Sequence, residues 1–266
     1  MSGNISVVVP TFNSSLTIVR ALNSVVSQTL LPFEVIIIDN ASTDNTVDVV
    51  NEFARKHPAT TWKIEMLSTN VGPGAARNHG WDIATGELIA FLDSDDSWHT
   101  DKLSRQFQAT MRYPNAVLFG HRYLVLESGA MQPSPAISSG SEVDSFRLFH
   151  FLFKNRISTP TAMVRRFITE RFPTQYWHGE DYSLWLAIVA NHGSAIVLHE
   201  RLVFLHKSEY GASGLSANLQ LMHRGEVAAV RSLQNARILG PLSASLAIGW
   251  LRLKYLRRRI KMSRRT

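Results

Sequence analysis

The chain has 266 residues, 45% of them hydrophobic and 18% charged, a composition that fits a globular protein with a real core and excludes a disordered one. It has no cysteine, which rules out disulfides and thiolate metal sites and fits a reducing compartment, and no apolar run reaches the roughly 20 residues of a membrane-spanning helix. The net charge of +7 is uneven: after Glu226 there is no acid and ten Lys or Arg, so the residues up to Glu226 carry −3. The basic character belongs to the C-terminal end.

Ile5–Val9 reads as a buried strand closed by Pro10-Thr11, and Leu16–Val26 as a helix. Residues 1–4 carry no basic start, so no signal peptide is expected. Phe33–Ile38 is a second strand, ending in Asp39-Asn40-Ala41-Ser42-Thr43-Asp44. There Ser42 or Thr43 is expected to cap the helix Thr46–Lys56, with Asp44 near its positive end. Trp62–Leu67 is a third strand, leading through Asn70-Val71-Gly72-Pro73-Gly74 into the helix Ala75–Ala84. The fourth strand, Leu88–Leu92, stops at Asp93, Asp95 and Asp96. Strand and helix alternate four times, which predicts an α/β fold with a mostly parallel, Rossmann-like sheet.

Ligands of such sheets bind beyond the carboxyl ends of the strands. Thr11, Asp39, Arg77 and the carboxylates Asp93–Asp96 all fall there. Three acids within four residues repel one another unless a cation sits among them, and hard oxygen ligands suit a divalent ion that keeps open positions for phosphate. The competing reading is a solvated turn capping the next helix, near Thr100. For Ser42, Asp44 and Asn70 the cap or turn role is the preferred one. As a set, the cluster reads as a nucleoside-diphosphate site: Gly72 and Gly74 let the backbone approach a ligand, and Arg77 can pair with a carboxylate or pyrophosphate. No Gly-x-Gly-x-x-Gly follows the first strand and no P-loop is present, which disfavours a dinucleotide or a P-loop nucleotide.

Val7-Val8-Val9-Pro10-Thr11-Phe12-Asn13, Ile37-Ile38-Asp39-Asn40-Ala41-Ser42-Thr43-Asp44, Asn70-Val71-Gly72-Pro73-Gly74-Ala75-Ala76-Arg77-Asn78 and Phe91-Leu92-Asp93-Ser94-Asp95-Asp96 resemble, in order and spacing, the successive motifs of family 2 glycosyltransferases. The resemblance covers roughly residues 4–210. It implies a GT-A fold and an inverting, non-processive, metal-dependent transfer of one sugar from a nucleotide diphosphate-sugar, with UDP favoured. It places Pro10, Thr11, Asp39, Arg77 and Asp93 at the nucleotide and Asp95 on a divalent ion, Mn²⁺ or Mg²⁺, with Asp96 and Trp98 as supporting or acceptor residues. Asn40 departs from the pattern, since many members carry a second Asp there.

The second half is less regular. Leu103–Met111 is helical, Ala116–Phe119 and Tyr123–Glu127 read as strands of a smaller mixed region, and Ser128–Gly140 as a loop, either a lid or a surface excursion. Phe146–Phe153 is read as an apolar helix and Ser158–Val164 as a strand near the acceptor. Gly179-Glu180-Asp181 opens an amphipathic helix with Leu184, Trp185, Ile188 and Val189 as its buried stripe. Acids at a helix start otherwise simply complement the dipole. The resemblance instead makes Asp181 the general base and Glu180 a support or acceptor residue. It likewise allows His206, after Val203-Phe204-Leu205, to complete the metal shell, with His199 as the competing choice. Lys207, Ser213 and Ser216 follow in a loop that would close over the pyrophosphate.

Leu221–Leu239 and Leu242–Ile260 are read as helices separated by Gly240-Pro241. In the second, Leu242, Leu246, Trp250, Leu253, Leu256 and Ile260 fall on one stripe, with Arg252, Arg258 and Arg259 facing elsewhere and Lys254 and Arg257 at its borders. Such a basic amphipathic helix fits an anionic membrane surface; docking of the stripe on its own domain is the alternative, and nucleic acid is disfavoured. The expected organisation is a GT-A domain over 1–210, its nucleotide half about 1–115 and acceptor half about 116–210, and a helical tail over 211–266.

The expected function is sugar transfer to a saccharide hydroxyl, on a lipid-linked oligosaccharide of bacterial surface polysaccharide synthesis, by a protein peripheral at the inner face of the cell membrane. Two other readings stand beside it. A catalytically silent nucleotide- or membrane-binding scaffold has no need of both Asp95 and Asp181. A nucleotidyltransferase needs a Gly-rich basic loop after the first strand, where this chain has Pro10-Thr11-Phe12-Asn13-Ser14-Ser15.

Overall fold

A computed structural model describes residues 3–126, 142–206 and 218–263, with side chains to residue 260 in the last stretch. The Ser128–Gly140 loop and the expected pyrophosphate contacts Lys207, Ser213 and Ser216 lie outside the described residues.

The first half is a run of strand–helix units: β1 (Ile5–Thr11), α1 (Ile18–Val26), β2 (Glu34–Asp39), α2 (Thr46–Lys56), β3 (Trp62–Met66), α3 (Pro73–Asp82) and β4 (Leu88–Phe91). β1 lies between β2 and β4, with β3 outside β2, and all four are parallel. β1, β2 and β4 are buried throughout because both faces are covered. Alternate residues serve opposite cores: Val8, Ile36, Ile38, Ile89 and Phe91 face one, while Val7, Val9, Val35, Ile37 and Ala90 face the other.

The amino ends of these strands are tied by Glu34. Its Oε1 accepts from Ser6 Oγ at 2.6 Å and from the Thr85 N–H at 2.7 Å, and Lys63 Nζ lies 2.7 Å from Oε2. Burial alone would raise this carboxyl, but Lys63, Ser6 and Thr85 hold it at about 2.

The chain continues through β5 (Ser97–Trp98), α4 (Lys102–Arg112), β6 (Leu118–Val125), β7 (Val143–Arg147), α5 (Leu148–Phe153), β8 (Met163–Arg165), α6 (Glu180–His192), β9 (Ser194–Leu205), α7 (Leu219–Asn235) and α8 (Pro241–Ser263). The sheet order is β3-β2-β1-β4-β8-β6-β9-β5, with β7 also on β9. β8 enters antiparallel to β4, which makes the second half mixed.

Several local expectations are corrected here. The two short strands after α4 are one, β6, whose pairing with β9 slips at His121–Tyr123 and so absorbs the polar interruption. The helix expected from Phe146 starts at Leu148, because Val143–Arg147 pair with β9 instead. Ser158–Val164 is not one strand: Pro160 sits in a 3₁₀ turn over Thr159–Thr161, and β8 begins at Met163. β9 is twelve residues long, well beyond the short strand read at its end. Neither Ser42 nor Thr43 caps α2; Asp44 Oδ1 accepts the Thr46 N–H, while Ser42 Oγ accepts the Asn13 N–H.

α7 and α8 form a hairpin in which α7 packs on α6 and α8 reaches α5. Ala229, Val230 and Leu233 of α7 and Ala244, Ala247 and Leu251 of α8 join the cluster that contains Trp185, Ile188 and Val189. The approach is closest at Gly225, where a Cβ would lie 1.8 Å from the His178 carbonyl oxygen. Glu226 is buried and pairs with Lys254 at 2.9 Å and Arg258 at 3.3 Å. The helix read as having one apolar stripe therefore has two apolar faces. Its small residues pack inward, while Leu242, Leu246, Trp250, Leu253, Leu256 and Ile260 are 39–75% exposed.

Candidate active site

The carboxyl ends of β1, β2 and β4 and the start of α6 converge. The β1–β2 register places Thr11 opposite Asp39, and the Thr11 hydroxyl donates to Asp39 Oδ1 at 3.0 Å. Asp39 Oδ2 accepts the Ser42 N–H at 2.9 Å, turning the chain as it leaves β2. Pro10, one residue earlier, is buried within β1.

Asn40 holds the second loop to the third. Its Nδ2 donates to Asn70 Oδ1, and its Oδ1 accepts the Val71 N–H, both at 2.9 Å. An ionised Asp could accept the Val71 N–H but could not donate to Asn70, which explains why Asn rather than Asp serves here. Asn70 also accepts the Gly72 N–H, so Asn70, like Ser42 and Asp44, is a loop-shaping residue. Gly72 adopts φ +87°, and a Cβ there would lie 2.4 Å from the Trp177 indole nitrogen. Trp177 thus covers the glycine loop while staying 42% exposed.

Arg77, on α3, is 6% exposed and bridges two elements distant in sequence. Its Nη2 donates to Asp93 Oδ1 at 2.6 Å and its Nη1 to Glu180 Oε1 at 3.1 Å. One rigid guanidinium fork therefore sets the acidic turn against the start of α6. Expected at the nucleotide, it gives two of its nitrogens to these carboxylates, and its buried Nε has no hydrogen-bond partner among the described residues. Asp181 is partly buried; its Oδ2 accepts from Asn155 Nδ2 at 3.0 Å and its Oδ1 from the Tyr182 N–H at 2.6 Å.

Burial pushes the Glu180 carboxyl up; Arg77 opposes the shift and the neighbouring Asp181 adds to it. Asp181 is also raised by burial, against the hydrogen bond from Tyr182, the charge of Arg77 and the amide of Asn155. Two carboxyls side by side and shielded from water share too little positive charge for both to ionise as they would in water.

Asp95 sits at the tip of the acidic turn, whose backbone is held by the Arg20 guanidinium on the Asp95 carbonyl and by Ser14 Oγ against Ser94 Oγ at 2.7 Å. His206, just past β9, comes into the same place because β9 pairs with β5, and Ser97 Oγ lies 2.8 Å from His206 Nε2. Burial and the charge of Arg20 lower the His206 pKa while Asp95 pulls it up. Among the described residues no group of three or more His, Asp or Glu forms a cation cage. A carboxylate and an imidazole would nonetheless suit a divalent ion that arrives with phosphate oxygens as further ligands.

His199 is elsewhere, its ring between Glu142 at 3.2 Å and Asp144 at 2.9 Å on the β7 edge. Asp96 is buried behind the turn. Trp98 is 2% exposed, donates to the Pro160 carbonyl at 3.0 Å and lies under the Lys102 ammonium, a supporting core position. Sequence reading passed over Asn155, Arg20 and Trp177. An Asn in irregular chain, a helical Arg and a loop Trp carry no pattern of their own.

A glycosyl transferase family 2 model matches residues 6–174. The chain is 29% identical over 197 residues to UDP-Glc:alpha-D-GlcNAc-diphosphoundecaprenol beta-1,3-glucosyltransferase WfgD of Escherichia coli, covering 73% of this chain and 72% of that one. Among solved structures, S. aureus TarS 1-349 in complex with UDP-GlcNAc superposes with a TM-score of 0.70 at 22% identity, covering 92% of this chain and 70% of that one. The mannosyltransferase PcManGT from Pyrobaculum calidifontis, in complex with GDP-Man and Mn²⁺, gives 0.67 at 18% identity, covering 94% and 73%.

Proposed function

Because the chain belongs to glycosyl transferase family 2, we propose that it moves one sugar from a nucleotide diphosphate-sugar, a UDP-sugar by preference, to an acceptor hydroxyl with inversion. The observation that carries this reading is the Arg77 bridge, which brings the acidic turn and the Glu180-Asp181 pair to one place. Thr11 and Asp39 lie at the nucleoside end of that row, with Pro10 shaping its floor. Asp181 takes the acceptor proton; the freed oxygen attacks the anomeric carbon from the face opposite the diphosphate, whose bond to that carbon breaks. A carboxyl raised by burial is a stronger base than one in water, and Asn155 aims it. Glu180 and Arg77 hold Asp181 and Asp93 in register and do not touch the reacting atoms.

Asp95 and His206 would hold Mn²⁺ or Mg²⁺, which supplies Lewis-acid stabilisation of the departing diphosphate. GDP-Man and Mn²⁺ are bound together by the mannosyltransferase of the same fold. The relative WfgD is named for an acceptor on diphosphoundecaprenol, which supports a lipid-linked saccharide as acceptor here. No described helix is long and apolar enough to cross a membrane. In this reading residues 1–210 are the catalytic unit, its halves meeting near 115, and the basic helices of 211–266 lay the protein on the anionic inner face of the cell membrane.

The test is a thermal-shift screen of UDP, GDP, CDP and dTDP with Mn²⁺ on the wild type and Asp95→Ala. Stabilisation by one nucleotide that needs both the metal and Asp95 is the expected result. A folded protein that responds to none of the four would leave the silent scaffold as the better reading.

A further inference from the structure

The inward face of α8 is already filled by Ala244, Ala247 and Leu251. Its outward face nevertheless carries Leu242, Leu246, Leu253, Leu256 and Ile260, each 43–75% exposed, in a row of about 27 Å at 1.5 Å per residue. Isolated exposed leucines need no explanation, whereas a continuous row of five does. The row does not end at α8. Trp250 Nε1 donates to the Phe153 carbonyl at 2.9 Å, and the Phe153 ring lies 6.1 Å from Trp250 and 4.9 Å from Phe149. Phe149 is itself 67% exposed. Helix α5 thereby extends the apolar surface sideways toward the site. Asn155, whose amide holds Asp181, is two residues beyond Phe153, a span of at most about 7 Å.

The flanks of this surface decide what covers it. Arg252, Arg257 and Arg259 are exposed beside the row, and no acidic residue occurs after Glu226, whose own charge is taken by Lys254 and Arg258. A second copy docked through this same face would set arginines against arginines. An anionic lipid leaflet neutralises them all and receives the leucines.

We propose that α8 and the Phe149 edge of α5 form one docking face for an anionic lipid leaflet, and that this face turns the Asn155–Asp181 side of the site toward the lipid. The proposal rests on the membrane part of the reading above and deepens it. An acceptor hydroxyl carried just above the leaflet then meets the general base without leaving the surface.

The test uses the full chain and vesicles of phosphatidylcholine, alone or mixed with phosphatidylglycerol. The wild type is expected to sediment with the mixed vesicles, less so as salt rises, and to ignore phosphatidylcholine alone. Leu246→Ser with Leu253→Ser is expected to lower binding at least tenfold, and Phe149→Ser several-fold, with melting temperatures unchanged because these side chains are exposed. Because the chain has no cysteine, Lys154→Cys and Thr61→Cys each take a single environment-sensitive fluorophore. The label at 154 is expected to shift on mixed vesicles and the one at 61 to stay put. If the α8 variant loses binding while Phe149→Ser and the label at 154 do not respond, the composite face is wrong and the tail reading survives. No lipid binding by the wild type overturns both. A wild-type dimer that the α8 variant turns into a monomer, with lipid binding unchanged, makes a second copy the occupant and overturns the proposal.

Discussion

At the amino ends of the parallel strands, Glu34 is buried with Ser6, Thr85 and Lys63 around its oxygens, and its pKa stays near 2. At the carboxyl ends, Glu180 and Asp181 share the influence of one guanidinium already committed to Asp93, and both are pushed upward. Glu34 and Glu180 are both almost inaccessible, but at Glu34 the donors outweigh burial, whereas at Glu180 and Asp181 burial outweighs the donors. A carboxylate with a full set of donors holds the fold together. Carboxyls left short of donors cost the fold something and are correspondingly ready to accept a proton. Stability and reactivity are thus separated along the strand axis.

The sharpest way to break this contrast is Asp181→Asn. It is expected to lower the transfer rate about 10²–10⁴-fold while the melting temperature holds or rises, since a crowded charge is removed. Loss of folding instead would move Asp181 to the structural side. Arg77→Ala leaves Asp93 and Glu180 without their buried partner and is expected to cost about 3–5 kcal/mol in a urea titration, with activity falling alongside.

At the other end, Glu34→Gln is expected to cost about 2–3 kcal/mol and leave the rate per folded molecule unchanged. The wild-type contribution has a definite pH window. Because the folded pKa of about 2 lies below the ordinary 4.5, the stabilisation is complete above 4.5 and is lost as pH falls toward 2. A variant as acid-stable as the wild type would show that Glu34 is not the group that matters. The smallest effect belongs to Asn155→Ala. Its amide favours the charged form of Asp181, so its removal moves the acid limb of the kcat/KM profile to higher pH, with less than about a tenfold loss on the plateau. A plateau loss without movement of that limb would mean that Asn155 only fills space.

The parallel half of the fold is legible because β1, β2 and β4 are apolar runs, interrupted only by Ser6 in β1 and opened by Glu34 in β2, each followed by a polar residue at its carboxyl end. Those endings, Thr11, Asp39 and Asp93, lie together at the carboxyl end of the sheet. The partners of Arg77 were not legible. Glu180 lies more than a hundred positions away, and nothing local tells a guanidinium that will be buried between acids from one that waits for a ligand. Phe146 reads into a helix because the apolar run to Phe153 is interrupted only by Arg147 and His150, and only pairing with β9 assigns it to β7. The second face of α8 was missed for a different reason: Ala244 and Ala247 bury well yet are too small to stand out against a row of leucines.

Gly225 bears on how the chain can be shortened or extended. Its bare backbone rests on the His178 carbonyl, one residue before the left-handed Gly179 that launches Glu180 and Asp181. The helical hairpin is therefore a retaining wall for the segment that aims the base. Trimming the molecule ahead of α7, as a crystallographer or protein engineer would to discard a basic tail, would remove that wall along with the tail. A useful boundary lies beyond Arg258, the last residue of α8 that reaches back to the buried Glu226.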